Sequence, residues 1–507
     1  MKPSLEGLLN QARHALSAGE SRKGLELCQR TLALRPAPQK AAEALVIAGQ
    51  CLEILLADSD AYQAYRQAVN LDPQSSEANL ALGKLLLAHG DPARALPALQ
   101  TAIELRPNEA SWRVILAQAY LSIQQESQAE VQLRSALELN SNLSDAHAML
   151  GYRLQTLGRF DDARHHFRRS IQIQPLQAVS YYGIVQGRKV TDEDGDLVSQ
   201  MQIASESPNL AESDRMYLLY SLGKASSDLG EFRQAMEFWN SANQVARKVC
   251  LGGRPFANEQ YRADINRTIE TFTRDFFQSH RSVGSASAQP IFIVGMMRSG
   301  TTLMDQILSS HPEVGAMGER PFWLTQPLNL ERASPVQESF LKMQVEAAGS
   351  MPRITDKTPQ NFQVLGWIHL LFPHAKIVHM TRDPIDNCLS IYSTPYEQSP
   401  DFAHDLSSIA FAYQTYRRLM QHWHSVIPEE SILQVSYEEL VSNHAETVER
   451  VVRFCGLEWD SHCLEHQSNR AVVKTPSMWQ VRQPIYSGSV GKWRSFEPWL
   501  GELLNLS

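Results

Sequence analysis

Apolar residues recur about every 3.6 positions through most of the first 250 residues, which is the spacing of one face of an α-helix. The segment LALGKLLLAHGDPARALPALQTAIELRP, residues 80–107, is a clear instance. A different pattern begins near residue 290, where short, fully apolar runs alternate with helical stretches. Short β-branched runs of this kind are typical of buried parallel strands. The chain is therefore predicted to combine a helical region with an α/β region.

Small side chains recur every 34 residues within the helical region. The three columns are Gly49, Gly83, Ala117 and Gly151; Ala61, Ala95, Ala129 and Ala163; and Ala68, Ala102, Ala136 and Ser170. A fourth column marks helix ends at Pro73, Pro107, Ser141 and Pro175. Paired antiparallel helices need small residues where their axes approach and a breaker where the second helix stops. The columns therefore predict stacked helix pairs, with a generic helical bundle as the alternative.

The 34-residue period and its small-residue columns resemble the tetratricopeptide repeat. The resemblance covers residues 40–176 best, begins loosely at Leu5, and returns at Gly223, Ala235 and Ala242. It implies an α-solenoid with a concave face that holds a protein or peptide partner.

The composition changes between residues 251 and 289. LGGRP and SVGSASAQP have the small-residue and proline content of linkers, and EQYRADINRTIETFTRDFFQSH between them predicts one amphipathic helix. We therefore expect a repeat solenoid over 1–250, a linker with a connecting helix over 251–289, and an α/β domain with a parallel sheet over 290–507.

The net charge of −8, from 47 basic and 55 acidic residues, excludes a broad surface for nucleic acid or anionic membranes. Six cysteines without a CxxC pair favour a reducing compartment over disulfides or zinc. No run approaches 18 apolar residues, and the first residues contain no apolar signal segment. We expect no membrane span and a cytoplasmic location.

The second half opens with a strand, a glycine-bearing loop and a helix, in the sequence PIFIVGMMRSGTTLMDQIL. This arrangement points loop amides and a helix N-terminus at an anion. The spacing from Gly295 to Thr302 is that of a P-loop, but Thr301 stands where a Walker A loop has lysine. Because this lysine is absent, the loop argues against an ATPase, a kinase or an obligatory Mg²⁺. The positive charge comes from Arg298 instead. A purely structural glycine turn is the alternative.

A second anion signature lies in KIVHMTRDPIDNCLSIY. Arg382 follows the apolar strand Ile377–Met380, and Ser390 lies eight residues further on. Because ligands of open α/β sheets bind outside the carboxyl ends of strands, Arg382 should reach the crevice of the glycine loop. A third strand, in ILQVSYEEL, should bring Tyr437 to the same edge.

At this point the second half resembles the sulfotransferases that use 3′-phosphoadenosine 5′-phosphosulfate (PAPS) and release 3′-phosphoadenosine 5′-phosphate (PAP). RSGTT resembles the family's 5′-phosphosulfate loop, and Arg382 with Ser390 resembles its 3′-phosphate site. The resemblance covers roughly residues 290–500 and implies no metal. It assigns nucleotide binding in this loop to Arg298, Ser299, Gly300, Thr301 and Thr302.

The general base of the cytosolic small-molecule branch is absent. Its K-x-H element corresponds to TDKTPQNF, where Lys357 is present and Pro359 occupies the histidine position. HPEVGAMGER is similar to the G-E-E segment of protein-tyrosine sulfotransferases, with Glu319 at the base position and Gly318 in place of the first glutamate. The resemblance therefore implies Glu319 as general base; a surface pair of Glu319 with Arg320 is the alternative.

The same branch implies the remaining site residues. Arg298, Lys357 and Ser477 would stabilise charge on the sulfuryl group and the leaving oxygen. For Lys357, a solvated pair with Asp356 is the alternative. Further nucleotide contacts, together with Tyr437, are assigned to Gln480, Arg482, Tyr486, Lys492 and Trp493. The branch has an arginine where this chain has Thr394, which puts one nucleotide contact in question.

The leading acceptor is a tyrosine of a protein or peptide recruited by the repeats. The alternatives are a hydroxyl of a carbohydrate, lipid or small metabolite, a non-catalytic scaffold, and a metal-free nucleotide kinase. A homodimer is compatible with the sequence, which does not decide the oligomeric state.

Overall fold

The structure is a computed structural model that describes residues 4–396, 400–469 and 471–506. The chain divides into two compact units. The first unit ends at Arg153 and also includes His165–Gln174, and the second comprises Leu154–Arg164 and the chain from Pro175 onward.

Ten helices, most of them within the first unit, follow one another through short turns. They are α1 Leu5–Ser17, α2 Ser21–Ala33, α3 Pro38–Ile54, α4 Asp58–Leu71, α5 Ser76–Ala88, α6 Pro92–Leu105, α7 Ala110–Ser122, α8 Glu126–Leu139, α9 Ser144–Thr156 and α10 Phe160–Ile173. The start of α6 carries an ordinary cap: the Asp91 side chain accepts from the backbone N–H of Arg94, and Pro92 occupies the first turn.

The small-residue columns lie where paired helices approach. A Cβ atom at Gly83 of α5 would lie 2.6 Å from the side chain of Leu99 on α6. At Gly49 of α3 it would lie 2.3 Å from the ring of Tyr65 on α4. Both distances are far below van der Waals contact, so only glycine permits this packing. The predicted helix pairs are confirmed, with the physical reason that the sequence pattern indicated.

Six further helices precede the sheet in the second unit. They are α11 Ala178–Gln186, α12 Gly195–Ser205, α13 Glu212–Asp228, α14 Phe232–Leu251, α15 Asn258–Thr271 and α16 Arg274–His280. The boundary expected at residue 250 stays a prediction, although α14 already packs in the second unit: its Trp239 ring centre lies 5.4 Å from that of Phe496.

The single helix predicted for residues 259–280 is wrong, because α15 ends at Thr271 and α16 begins at Arg274. The Phe272 side chain turns into the core, where it is 4% exposed. The Thr273 hydroxyl then caps α16 by accepting from the backbone N–H of Phe276 at 3.2 Å. Core burial of one aromatic residue outweighs the continuous helical pattern.

A five-stranded parallel sheet forms the centre of the second unit. Its strands are β1 Pro290–Gly295, β2 Val314–Ala316, β3 Arg353–Asp356, β4 Lys376–Thr381 and β5 Ile432–Ser436, in the order β2-β3-β1-β4-β5. The central strand β1 is buried along its whole length, which explains its uninterrupted apolar run. The predicted α/β fold is confirmed.

The helices that follow the strands are α17 Thr301–Leu308, α18 Phe322–Thr325, α19 Ala333–Ala348, α20 Leu365–Leu371, α21 Pro384–Tyr392, α22 Leu406–Val426, α23 Tyr437–Ser442 and α24 His444–Phe454. The C-terminal part forms short 3₁₀ turns, including Gln480–Arg482 and Lys492–Trp499. Within the described residues, none of the helices combines the length and apolar character that crossing a bilayer requires.

Candidate active site

The loop between β1 and α17 is tightly folded against β4. A Cβ at Gly295 would lie 2.3 Å from the carbonyl oxygen of Met380, so the close approach of the two chains requires glycine. Gly300 has φ +102°, and its missing side chain leaves room for the Tyr437 ring. Arg298 also has a positive φ, 68°, which is costly for a residue with a side chain. Such strain is typical of functional loops.

The side chain of Arg298 joins three distant segments. Its Nε donates to the hydroxyl of Ser390 on α21 at 3.2 Å, and its NH1 donates to the hydroxyl of Ser477 at 2.8 Å. Three predicted site residues therefore lie together: Arg298 of the loop, Ser390 of the predicted 3′-phosphate site and Ser477.

Arg382 lies on the other side of the same loop, directly after β4. Its guanidinium donates to the carbonyl oxygens of Ser489 at 2.7 Å and Arg298 at 3.2 Å. It also lies 5.1 Å from the centre of the Tyr437 ring, and the Tyr437 hydroxyl is 2.8 Å from that of Ser489. Arg382 and Tyr437 thus contact one stretch of chain, residues 489–493, which is called the C-terminal segment.

Among the residues that the structure describes, three buried donors around this loop have no hydrogen-bond partner. They are the hydroxyl oxygen of Ser299, Nε of Arg382 and the indole Nε1 of Trp493. Buried donors are normally satisfied, so three together at the carboxyl edge of β1 and β4 indicate a ligand with acceptor oxygens. The arginine pair and these donors fit a nucleotide that carries phosphate groups at two positions.

Lys357 and Glu319 form an ion pair next to the loop. The Lys357 ammonium lies 2.6 Å from the Glu319 carboxylate. The lysine side chain is only 4% exposed, whereas the glutamate is 47% exposed. Lys357 is therefore not a solvated partner of Asp356, and Glu319 is accessible from solvent.

Two buried carboxyl groups lie behind this pair. Burial raises the pKa of Asp305, with the nearby Lys357 ammonium opposing the shift, and the Thr355 hydroxyl donates to Asp305 at 2.6 Å. Burial likewise raises the pKa of Asp356 to about 7, against the bonds it accepts from Thr358. These groups surround Lys357 with polar atoms within an apolar core.

Sequence reasoning missed two residues that hold the site together. Asp386 accepts hydrogen bonds from the backbone N–H groups of Gly491 at 2.5 Å and Trp493 at 2.8 Å. The Asn387 amide donates to the carbonyl of Met297 at 2.7 Å. Both directly follow the Arg382 motif and are almost fully buried. The signal available in the sequence was an acidic residue and an amide residue side by side in a helix that is otherwise mostly apolar.

The remaining predicted residues have diverse surroundings. The Thr302 hydroxyl lies 3.2 Å from that of Thr475. Burial raises the pKa of Tyr486, while the charges of Arg382 and Arg298 lower it. Gln480 begins the 3₁₀ turn that also contains Arg482.

The Arg482 guanidinium donates to the carbonyl oxygens of Ala471 at 2.9 Å and Thr156 at 3.0 Å, so its contacts bind chain segments together. Lys492 begins the 3₁₀ helix that contains Trp493, and burial lowers its pKa.

Two family models match parts of this chain. A model described as Sulfotransferase family matches residues 290–349 and 327–461, and a model of the tetratricopeptide repeat matches residues 86–152. Among solved structures, the tetratricopeptide-repeat protein YrrB aligns at 22% identity over 35% of this chain and 91% of that chain, with a TM-score of 0.31.

Three curated relatives illustrate the range of sequence similarity. An uncharacterized protein of Aquifex aeolicus is 29% identical in an alignment 379 residues long that covers 70% of this chain and 49% of that protein. The protein-tyrosine sulfotransferase of Drosophila melanogaster is 25% identical over 46% of this chain and 50% of its own length. Human heparan sulfate glucosamine 3-O-sulfotransferase 6 is 28% identical over 33% and 52%.

The chain thus spans about half the length of these relatives. The tetratricopeptide repeat model matches part of the helical region, and the sulfotransferase model matches the region that contains the parallel sheet. Together they identify a tetratricopeptide repeat region followed by a domain of the sulfotransferase family.

Proposed function

We propose that the protein is a sulfotransferase that moves a sulfuryl group from PAPS to a hydroxyl acceptor. The observation that carries the proposal is the Arg298 side chain, which bonds to both Ser390 and Ser477 beside the ion pair of Lys357 and Glu319. One cation thereby links the two predicted anion subsites. The matching sulfotransferase model supports the same reaction class.

The residues around the loop fit the nucleotide. Arg382, Ser390 and Tyr437 hold its 3′-phosphate and base side, and the loop amides with Thr301 and Thr302 hold its 5′-phosphosulfate. The partnerless donors of Ser299, Arg382 and Trp493 receive acceptors when it binds. When bound, PAPS supplies an activated sulfuryl group and leaves as PAP. No residue of this scheme requires a metal.

The ion pair gives the chain a base and an acid beside each other. Glu319 accepts the proton of the acceptor hydroxyl, which makes that oxygen a better nucleophile. The buried Lys357, with Arg298 and Ser477, stabilises the negative charge that develops on the leaving oxygen. Catalysis in this arrangement rests on positioning and electrostatics, as in phosphoryl transfer.

The proposed acceptor is a tyrosine of a protein or peptide that the repeats recruit. The relatives named protein-tyrosine sulfotransferase and the Glu319 segment support this choice. A carbohydrate hydroxyl is the second candidate, supported by the relatives named heparan sulfate glucosamine 3-O-sulfotransferase 6. A cytoplasmic location and a homodimer remain predictions.

Nucleotide titration tests the donor. We expect PAP to bind the full chain without Mg²⁺ at least tenfold more tightly than ADP, because only PAP carries the 3′-phosphate that Arg382 and Ser390 bind. Calorimetry measures both constants. Equal binding of the two nucleotides, or no binding of either, contradicts the proposal.

A transfer assay with labelled PAPS tests the acceptor and the base. Tyrosine peptides and oligosaccharides are offered in parallel, and the labelled product identifies the class. Glu319→Gln should lower kcat by about 10²–10⁴-fold while PAP binding is kept. Glu313→Gln, on the exposed segment a few residues earlier, is the matched control with unchanged kcat. Full transfer by Glu319→Gln would exclude Glu319 as the base.

A further inference from the structure

A cavity of about 480 Å³ lies at the edge of the sheet opposite the candidate active site. Its lining comes from the starts of four adjacent strands: Arg353 begins β3, Lys376 begins β4, Ser431 directly precedes β5, and Ala288 lies two residues before β1. Arg382 follows the other end of β4, whose six residues span roughly 17 Å. The cavity has the size of a small-molecule pocket and is separate from the proposed nucleotide site.

Two cations line this cavity without a carboxylate to neutralise them. The Lys376 ammonium donates to the carbonyl oxygen of Glu430 at 2.6 Å, and the Arg353 guanidinium donates to that of Ala288. Within the described residues, neither cation forms an ion pair. Glu430 and His374 also line the cavity, but the Glu430 side chain is exposed and bonds to neither cation. Both cations therefore keep N–H groups that a ligand can use.

The end of α24 holds both cations in place. The Lys376 ammonium lies 5.0 Å from the centre of the Phe454 ring, the last residue of that helix. Gly456 has φ +72°, and a Cβ there would lie 2.7 Å from NH2 of Arg353, so glycine leaves room for the guanidinium. Packing, and not acidic partners, thus positions the two charges, as an anion site requires.

The His369 ring adds a polar group to the cavity wall. It is 9% exposed, and its Nδ1 is buried without a hydrogen-bond partner in the described part of the chain. Burial lowers the pKa of His369 to about 4, with the charge of Glu430 opposing the shift, so the ring is neutral at pH 7. The Phe277 ring packs edge-on against it, with 5.1 Å between centres. Pro373 and Pro428 supply apolar wall, so the lining suits a ligand with an anionic group and an apolar body.

We propose that this cavity is a second ligand site that binds a small phosphate monoester, its phosphate oxygens on Arg353 and Lys376 and its organic body against the two prolines. A phosphate monoester carries a charge of about −1.5 to −2 at neutral pH and three acceptor oxygens, which match a guanidinium and an ammonium side by side. The inference goes beyond sulfuryl transfer and does not depend on it.

Calorimetric titration with phenyl phosphate tests the site. The full chain carrying Arg298→Ala is the starting protein, because the weakened glycine loop then competes less for phosphate. Phenyl phosphate should bind, inorganic phosphate should bind more weakly because it lacks the apolar body, and phenol should not bind. Lys376→Gln and Arg353→Gln should each weaken phenyl phosphate binding about tenfold, and Glu430→Gln should strengthen it about twofold. Lys342→Gln, on an exposed position of α19, is the matched control and should change nothing.

A space-filling variant separates binding from folding. Ala288→Phe adds a large ring to the cavity lining at an exposed position and removes no cation, so it should weaken phenyl phosphate binding about tenfold with unchanged Tm. Phenyl phosphate should raise the Tm of the starting protein, since it binds the folded state. No binding by the starting protein, or equal affinity in Lys376→Gln and Ala288→Phe, overturns the proposal. A lower Tm in Lys376→Gln with unchanged affinity also overturns it, because the cation would then serve the fold alone.

Discussion

The repeat helices and the candidate active site are held together over very different chain distances. In three of the repeats, a glycine packs on the large side chain sixteen residues later: Gly49 on Tyr65, Gly83 on Leu99 and Gly151 on Phe167. The bonds of Arg298 instead reach Ser390 and Ser477, which are 92 and 179 residues away. Repeat packing is consequently encoded locally and visible as a period, whereas the site depends on how the sheet brings loops together.

The two regions also use glycine and charge differently. In the repeats, small residues make space for apolar contact, and substitution should affect stability alone. In the site, backbone strain and partnerless donors are kept at a cost in stability, so substitution should separate function from folding. Variants in each region can break or sharpen this contrast.

Arg298→Ala should have the largest effect, a loss of sulfuryl transfer of about a thousandfold, because the arginine links both anion subsites. The free energy of unfolding should change little. Arg298→Gly should lose the same activity yet be about 1 kcal/mol more stable than Arg298→Ala, since glycine accepts the positive φ. Kinetics and urea unfolding measure both; exposed Arg418→Ala on α22 is the control. Transfer at the wild-type rate by either variant would contradict the proposed role.

Asp356→Asn should change the pH dependence of stability. Burial raises the pKa of Asp356 to about 7 in the folded chain from the ordinary 3.8. The folded state therefore holds a proton that the unfolded chain releases, and this contribution to stability is lost as the pH rises from about 4 to 7. The loss amounts to a few kcal/mol, at most about 4. Relative to wild type, the asparagine variant should gain stability between pH 4 and pH 8.

Urea unfolding at several pH values measures this difference. The exposed Asp275→Asn variant is the control and should follow the wild-type pH profile in parallel. A constant free-energy difference between Asp356→Asn and wild type would show that the buried carboxyl does not titrate in this range.

Gly83→Ala should destabilise the repeat region by about 1–3 kcal/mol, because the new methyl group overlaps Leu99. Gly195→Ala, at the start of α12 with no atom within 4 Å of the added Cβ, is the matched control and should be neutral or stabilising. PAP binding should be unchanged in both. A loss of PAP affinity in Gly83→Ala would show that the repeats and the site are not energetically separate.

Asp386→Asn should have the smallest effect, about a tenfold loss of PAP affinity. The amide keeps one acceptor oxygen, so one of the two bonds to Gly491 and Trp493 is lost and the C-terminal segment is held less firmly. Calorimetry measures the change, with exposed Glu446→Gln on α24 as control. An unchanged affinity would show that the segment does not take part in nucleotide binding.

Much of the architecture followed from short patterns. The apolar runs predicted β1, β4 and β5, and the columns predicted the helix pairs, because burial and helix contact act on neighbouring residues. The prediction of one helix over residues 259–280 was wrong at Phe272. This side chain is buried in the core, and no local sequence pattern indicates that burial.

The sequence predicted the site residues that lie in local motifs and missed those whose roles depend on distant segments. Arg298, Arg382 and Ser390 lie in motifs whose spacing reflects strand ends, and they do come together. The loop-holding roles of Asp386 and Asn387 depend on contacts with distant segments. Arg482 was assigned to the nucleotide, yet its guanidinium donates to carbonyl groups of the chain, and its role at the nucleotide stays a prediction.

The sequence by itself determined the repeat period, the parallel strands, the anion-binding loop and the types of charged residue available to the site. Each of these depends on residues close together in the chain. Only the tertiary structure decided that Lys357 is buried against Glu319 and that Asp386 holds the C-terminal segment. Burial and hydrogen-bond satisfaction are properties of the folded surroundings, which segments far apart in sequence create together.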